Sequence, residues 1–184
     1  MSFARSIPVE RPAPGLRDLR LYGFAAVFTL GNLVAPMAVH SVPQGGLIFL
    51  PIFFFTLVAA ARFGFAAGVL TGIASPLVNY GLTGMPPSGE LFTVLAQSIF
   101  LAAVVAVLAS RRGRIGVLAL LLAAVSMQLA GFAIDLARGV SASVCLDALR
   151  LGIPGIAIMV VGGYAVLRLL DRFAIGGSGS TALR

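Results

Sequence analysis

Eight side chains of this sequence are of types that hold a small polar molecule: His40, Gln44, Asn79, Tyr80, Gln97, Gln128, Phe132 and Asp135. Amides donate and accept hydrogen bonds, so Gln44, Asn79, Gln97 and Gln128 would satisfy the polar groups of a ligand. Tyr80 and Phe132 would supply aromatic packing. The chemistry this set suggests is recognition, not bond-breaking. There is no phosphate-binding glycine loop, no Gly-x-Ser-x-Gly elbow and no His-Glu-x-x-His pair, so neither an enzyme nor an ATP-driven pump is expected. His40 is the single histidine and Cys145 the single cysteine, which builds no metal-binding constellation and no internal disulfide. No metal and no cofactor is expected.

The elements that must position these groups follow from composition. Of 184 residues, 59% are apolar and 10% charged, with a mean hydropathy of +1.05. A soluble domain of this size cannot hide so much apolar surface, whereas a bilayer accepts it. A helical span needs about 20 mostly apolar residues. The apolar runs between breakers are Leu19–Val39, Leu47–Ala61, Phe65–Leu82, Leu91–Ser110, Ile115–Ala137 and Leu146–Leu170. None alternates with the period of two that a membrane β-barrel requires. The expected fold is an all-α integral membrane protein, a six-transmembrane-helix bundle.

The net charge of +7 comes from arginine alone, since the chain has no lysine. Arg5, Arg11, Arg17 and Arg20 precede the first run and Arg62 lies between the second and third. Arg111, Arg112 and Arg114 lie between the fourth and fifth, and Arg168 and Arg172 close the sixth. The alternate connections carry His40, Glu90 and a balanced set of Asp135, Arg138, Asp147 and Arg150. Positive-inside bias therefore predicts that both termini are cytoplasmic, and it accounts for the basic charge without nucleic acid. Residues 1–18 read as a cytoplasmic tail and 19–173 as the membrane domain. Residues 174–184 read as a flexible linker or appended remnant. The first run is long for a signal peptide and holds Asn32 and Pro36, so it is read as a retained span.

With that orientation, polar residues crowd the outer half. Asn32, Ser75, Asn79, Gln97, Ser126, Gln128 and Asp135 lie from mid-membrane outward, and Ser75 and Asn79 share a helix face. Polar groups at membrane depth face a protein interior or a cavity. They also serve as interhelical hydrogen-bond glue, and for any one residue both readings stand. The connections "HSVPQGG" and "LTGMPPSGE" combine prolines and glycines that would shape a cap over a ligand. Asp135, Arg138, Asp147 and Arg150 are read as mutual salt bridges or as ligand contacts, and Cys145 as a packing residue. Spacings such as Gly31-x-x-x-Ala35, Gly64-x-x-x-Gly68 and Gly68-x-x-x-Gly72 allow close helix contact, within the chain or with a partner.

The stretch "GNLVAPMAVHSVPQGGLIFLPIFFFTLVAAARFGFAAGVLTGIASPLVNYGLTGMPP", Gly31 to Pro87, resembles the membrane-embedded substrate-binding subunit, or S component, of energy-coupling factor (ECF) vitamin transporters. Size, six spans and inside termini extend the resemblance over Leu19 to Phe173. The resemblance implies a vitamin or vitamin precursor bound between the outer helix ends and loops, in the cytoplasmic (inner) membrane of a bacterium. It implies a transmembrane scaffold subunit and an ATPase pair as partners, or a solitary S component. His40, Pro43, Gln44 and Gly45 match the first outer loop of the family, and Gly84, Met85 and Pro86 the third, which adds Met85 to the candidate binding set. Cobalamin-type cargo would suit His40 as a cobalt ligand. For scaffold docking the resemblance points to Ala25 with Thr29, or Gly31 with Ala35. The alternative function is a non-transporting six-helix scaffold or assembly factor of the cell-shape type.

Overall fold

The computed structural model describes residues 6–8, 13–39 and 42–178. In hydrocarbon every backbone N–H and C=O must be satisfied within the chain, and the sequence meets that demand with helices. Helix α1 spans Leu19–Val39. Its N-cap is Asp18, whose carboxylate accepts the Arg20 backbone N–H at 2.9 Å. That bond, with the Arg20 guanidinium beside it, holds the Asp18 carboxyl below its ordinary value.

The second span is broken. Helix α2, Gly45–Phe49, stops at Leu50, which adopts a left-handed conformation (φ 50°), and α3, Pro51–Phe63, starts directly after it. Proline disfavours a helical residue before it and is itself suited to the first helical position, so Leu50-Pro51 sets the break. Helix α4 is Phe65–Thr83 and α5 is Ser88–Arg112. Helix α6 is Val117–Ala137. The sixth span is also two pieces, α7 (Ala142–Leu151) and α8 (Ile153–Ser178), meeting at Gly152. Six stretches are long and apolar enough to cross a membrane: Leu19–Met37, Gly45–Phe63, Phe65–Thr83, Ser88–Arg111, Val117–Ala137 and Ala142–Phe173. The chain is thus an all-α bundle of six apolar spans, with boundaries within a few residues of the sequence reading. Helix α8 runs past residue 173, so part of the expected linker is helical.

Helix α3 is the hub, packed against α1, α4, α5 and α8. Its alanines make this possible. A methyl added at Gly68 of α4 would sit 2.5 Å from Ala60 Cβ and 3.0 Å from Ala102 Cβ. One at Gly72 would meet Ser98 of α5 and Thr56 of α3. The Gly68-x-x-x-Gly72 spacing is therefore used inside the bundle. Phe24, Phe28, Phe55 and Phe63 pack along the α1–α3 seam, with Phe24 stacked on Phe63 at 3.9 Å. Outward faces carry large apolar side chains such as Leu19, Val27, Leu30, Leu118 and Phe173, as lipid contact demands.

At the arginine-rich end the segment before α1 folds back. Strand β1, Ile7–Pro8, pairs antiparallel with β2, Arg114–Ile115, in the α5–α6 connection. Ile7 and Ile115 are fully buried in the core, and Ala13 lies against Gly64 in the α3–α4 turn. Part of the segment expected as a tail is thus packed onto the membrane domain, because Ile7 offers an apolar anchor.

Candidate functional site

The polar groups fall into three sets between mid-bundle and the end where α2, α7 and the α4–α5 turn lie. The first centres on Asn32 of α1, fully buried. Its Nδ2 donates to Thr56 Oγ1 (3.1 Å, α3) and Ser75 Oγ (3.0 Å, α4), and its Oδ1 accepts the Phe55 backbone N–H at 2.9 Å. Ser75 Oγ donates its own hydrogen bond to the Thr71 carbonyl at 2.6 Å. Asn32 has both amide hydrogens and its oxygen engaged, and this set is a three-helix staple.

The second set is different. Asn79, Gln97 and Gln128 are each at most 8% exposed. The Asn79 Oδ1 receives one long bond from Thr83 Oγ1 (3.4 Å), and its Nδ2 donates to no described residue. Gln97 Nε2 reaches the Met127 carbonyl at 3.4 Å and packs over Gly131, whose missing side chain makes the room. Gln128 lies over Gly152 at the α7–α8 break, and no described residue hydrogen-bonds its amide. Among the described residues, the side-chain polar atoms both sealed from solvent and unpartnered are the Thr29 and Thr71 hydroxyls. The spare atoms of Asn79, Gln97 and Gln128 are not among them, so they are not wholly sealed. Enclosed amides with unspent hydrogen bonds are what a polar solute would use.

The third set is the rim. Arg138 donates through Nη1 to Thr93 Oγ1 at 2.7 Å and through Nη2 to the Gly89 carbonyl. Thr93 in turn donates to Asp135 Oδ1 at 2.7 Å. The Asp135–Arg138 pair itself is 3.6 Å apart. This relay ties the start of α5 to the end of α6. Asp147 and Arg150 form a separate exposed pair at 3.4 Å on α7. Cys145, on α7 itself, is buried.

Of the sequence candidates, Asn79, Gln97 and Gln128 are each enclosed, Gln97 beside Met127 and Gly131, Gln128 over Gly152 and Asn79 near Thr83, and Asp135 is engaged in the rim relay. Phe132 is half-buried on α6, one position past Gly131. Tyr80, Met85 and Gln44 are exposed, the last in a left-handed conformation that caps α2. His40 lies outside the described residues. Thr93 was not singled out by the sequence; its signal is only that it sits near the start of a span facing an acid. No three Asp, Glu, His or Cys side chains among the described residues converge on a metal position. For the docking set, Ala25 and Thr29 are buried inside the bundle, and Gly31 lies against the Phe55 ring, where an added methyl would meet it at 2.7 Å. Ala35 is half-buried.

No family model, curated protein or solved structure matches this chain.

Proposed function

We propose that the chain is the substrate-binding membrane subunit of an uptake system for a vitamin or vitamin precursor. In this reading both termini are cytoplasmic, the α2–α7 end faces outward, and the host membrane is the bacterial cytoplasmic membrane. The observation that carries it is the set of three enclosed amides, Asn79, Gln97 and Gln128, on three helices, each with hydrogen-bonding atoms that no described residue uses. Amides serving only as helix glue would be spent, as Asn32 is. Gln128 lies over the Gly152 break, and in this reading α2 and α7 form the roof of the site. The rim relay of Arg138, Thr93 and Asp135 holds α5 and α6 together beside it. No energy-coupling motif is present in the chain, so a separate ATPase module with a membrane scaffold supplies the energy, or the subunit acts alone.

Accessibility tests the reading. In a Cys145→Ser background, Asn79→Cys reacts with a membrane-impermeant thiol reagent added from outside, and a panel of water-soluble vitamins contains one that protects it. Labelling only from the cytoplasmic side contradicts the orientation. Labelling that no vitamin slows favours a scaffold with no solute site.

A further inference from the structure

The arginine-rich end holds a buried charge that the solute site does not use. Arg62, in the last turn of α3, is only 8% exposed. Its guanidinium has five N–H donors, and Nη1 donates to the Pro8 carbonyl at 3.0 Å. That acceptor is neutral. The ion pairs among the described residues, Asp18–Arg20, Asp135–Arg138 and Asp147–Arg150, leave Arg62 without a carboxylate. A buried cation whose partner among the described residues is a carbonyl is costly unless an anion compensates it.

A second guanidinium lies close by. Arg114 Nη2 donates to the Ser6 carbonyl at 3.0 Å. Ser6 and Pro8 are two positions apart along β1, so the two acceptors are separated by roughly 6–7 Å. Arg62 and Arg114 thus grip one short strand from the α3–α4 and α5–α6 turns, and each keeps donors to spare. Two such forks suit a tetrahedral oxyanion, because guanidinium presents parallel donors to phosphate oxygens. Both turns end membrane spans, so this position lies at the level of lipid headgroups whichever way the chain is threaded.

We propose that Arg62 and Arg114, astride β1, form a binding site for a phosphate group, supplied by a phospholipid headgroup. The site is independent of the solute reading above. It predicts that the full chain, purified in a nonionic detergent, retains phosphatidylglycerol about tenfold more than diacylglycerol of the same acyl chains, by native mass spectrometry. Arg62→Gln and Arg114→Gln each abolish that preference. Arg114 is exposed, so its variant carries the test if Arg62→Gln does not fold. Displacement of the lipid by millimolar inorganic phosphate would assign the site to soluble phosphate, and persistence assigns it to the headgroup. Equal retention of the two lipids, with no arginine-dependent binding of inorganic phosphate, overturns the proposal.

Discussion

Replacing Asn32 and Asn79 by leucine, one at a time, separates an amide that builds the fold from one that is free to bind. Asn32→Leu removes three hydrogen bonds of 2.9–3.1 Å that join α1 to α3 and α4. Each interhelical side-chain hydrogen bond in a membrane contributes about 0.6 kcal/mol on average and up to about 1.7 kcal/mol. Leucine recovers little, since lipid is already as apolar as leucine. The loss is therefore about 2–4 kcal/mol. For a chain of this size that lowers the unfolding midpoint by roughly 5–15 °C. Asn79→Leu gives up only the 3.4 Å bond, while Thr83 keeps the Asn79 carbonyl at 2.8 Å. Its cost stays within about 0.5 kcal/mol, or about 2 °C. Cys145 is the single cysteine and is buried, so a thiol-reactive fluorophore reports unfolding without an added probe. If the two variants unfold at the same temperature, or Asn32→Leu is neutral, the distinction between the sets is wrong.

Four further outcomes follow from the geometry. Gly155→Ala places a methyl 2.8 Å from the Ile48 carbonyl oxygen, the Phe49 carbonyl carbon and Leu50 Cγ. Backbone there cannot step aside, so the overpacking costs about 1–3 kcal/mol in the same thermal assay. Gly152→Ala crowds the movable amide of Gln128, while the Ala148 carbonyl stays at an ordinary 3.4 Å. It leaves the midpoint within about 2 °C but weakens vitamin binding roughly threefold to tenfold by equilibrium dialysis. Thr93→Val cuts the Arg138–Thr93–Asp135 relay, and hydrogen exchange accelerates at the start of α5 and the end of α6. Asp18 has its carboxyl lowered in the folded chain, so its contribution is present above the unfolded value and is lost as pH falls through the folded one. Asp18→Asn therefore flattens the acid side of the stability profile, read as midpoint against pH.

The spans were legible because each is bounded by strong punctuation: Asp18 before Leu19, Gly64 before Phe65, and Pro87 before Ser88. The breaks within the second and sixth spans were not read as separate helices. Leu50-Pro51 lies inside a continuous apolar run, and hydropathy does not register a single left-handed leucine. The crowding of amides toward one end was visible in the sequence. Which amides are spent was not, since that depends on partners far away in the chain, such as Asn32 with Ser75. Tyr80 follows Asn79 directly, yet successive helical residues point about 100° apart, so one is enclosed and the other exposed. The small residues of α1 illustrate the same point: spacing marks close contact, but only packing shows that Gly31 faces Phe55. The folding back of Ile7 onto Ile115 spans 108 positions, beyond the reach of local pattern.

The central claim is that the enclosed amides near the α2–α7 end hold a small solute. Mass spectrometry of small molecules released from gently purified protein, followed by titration with a vitamin panel, addresses it most directly. The account predicts one compound at near-stoichiometric yield, lost in a Gln128→Leu variant that still unfolds at the parental temperature. A protein that is empty as purified, and binds nothing across the panel, contradicts it.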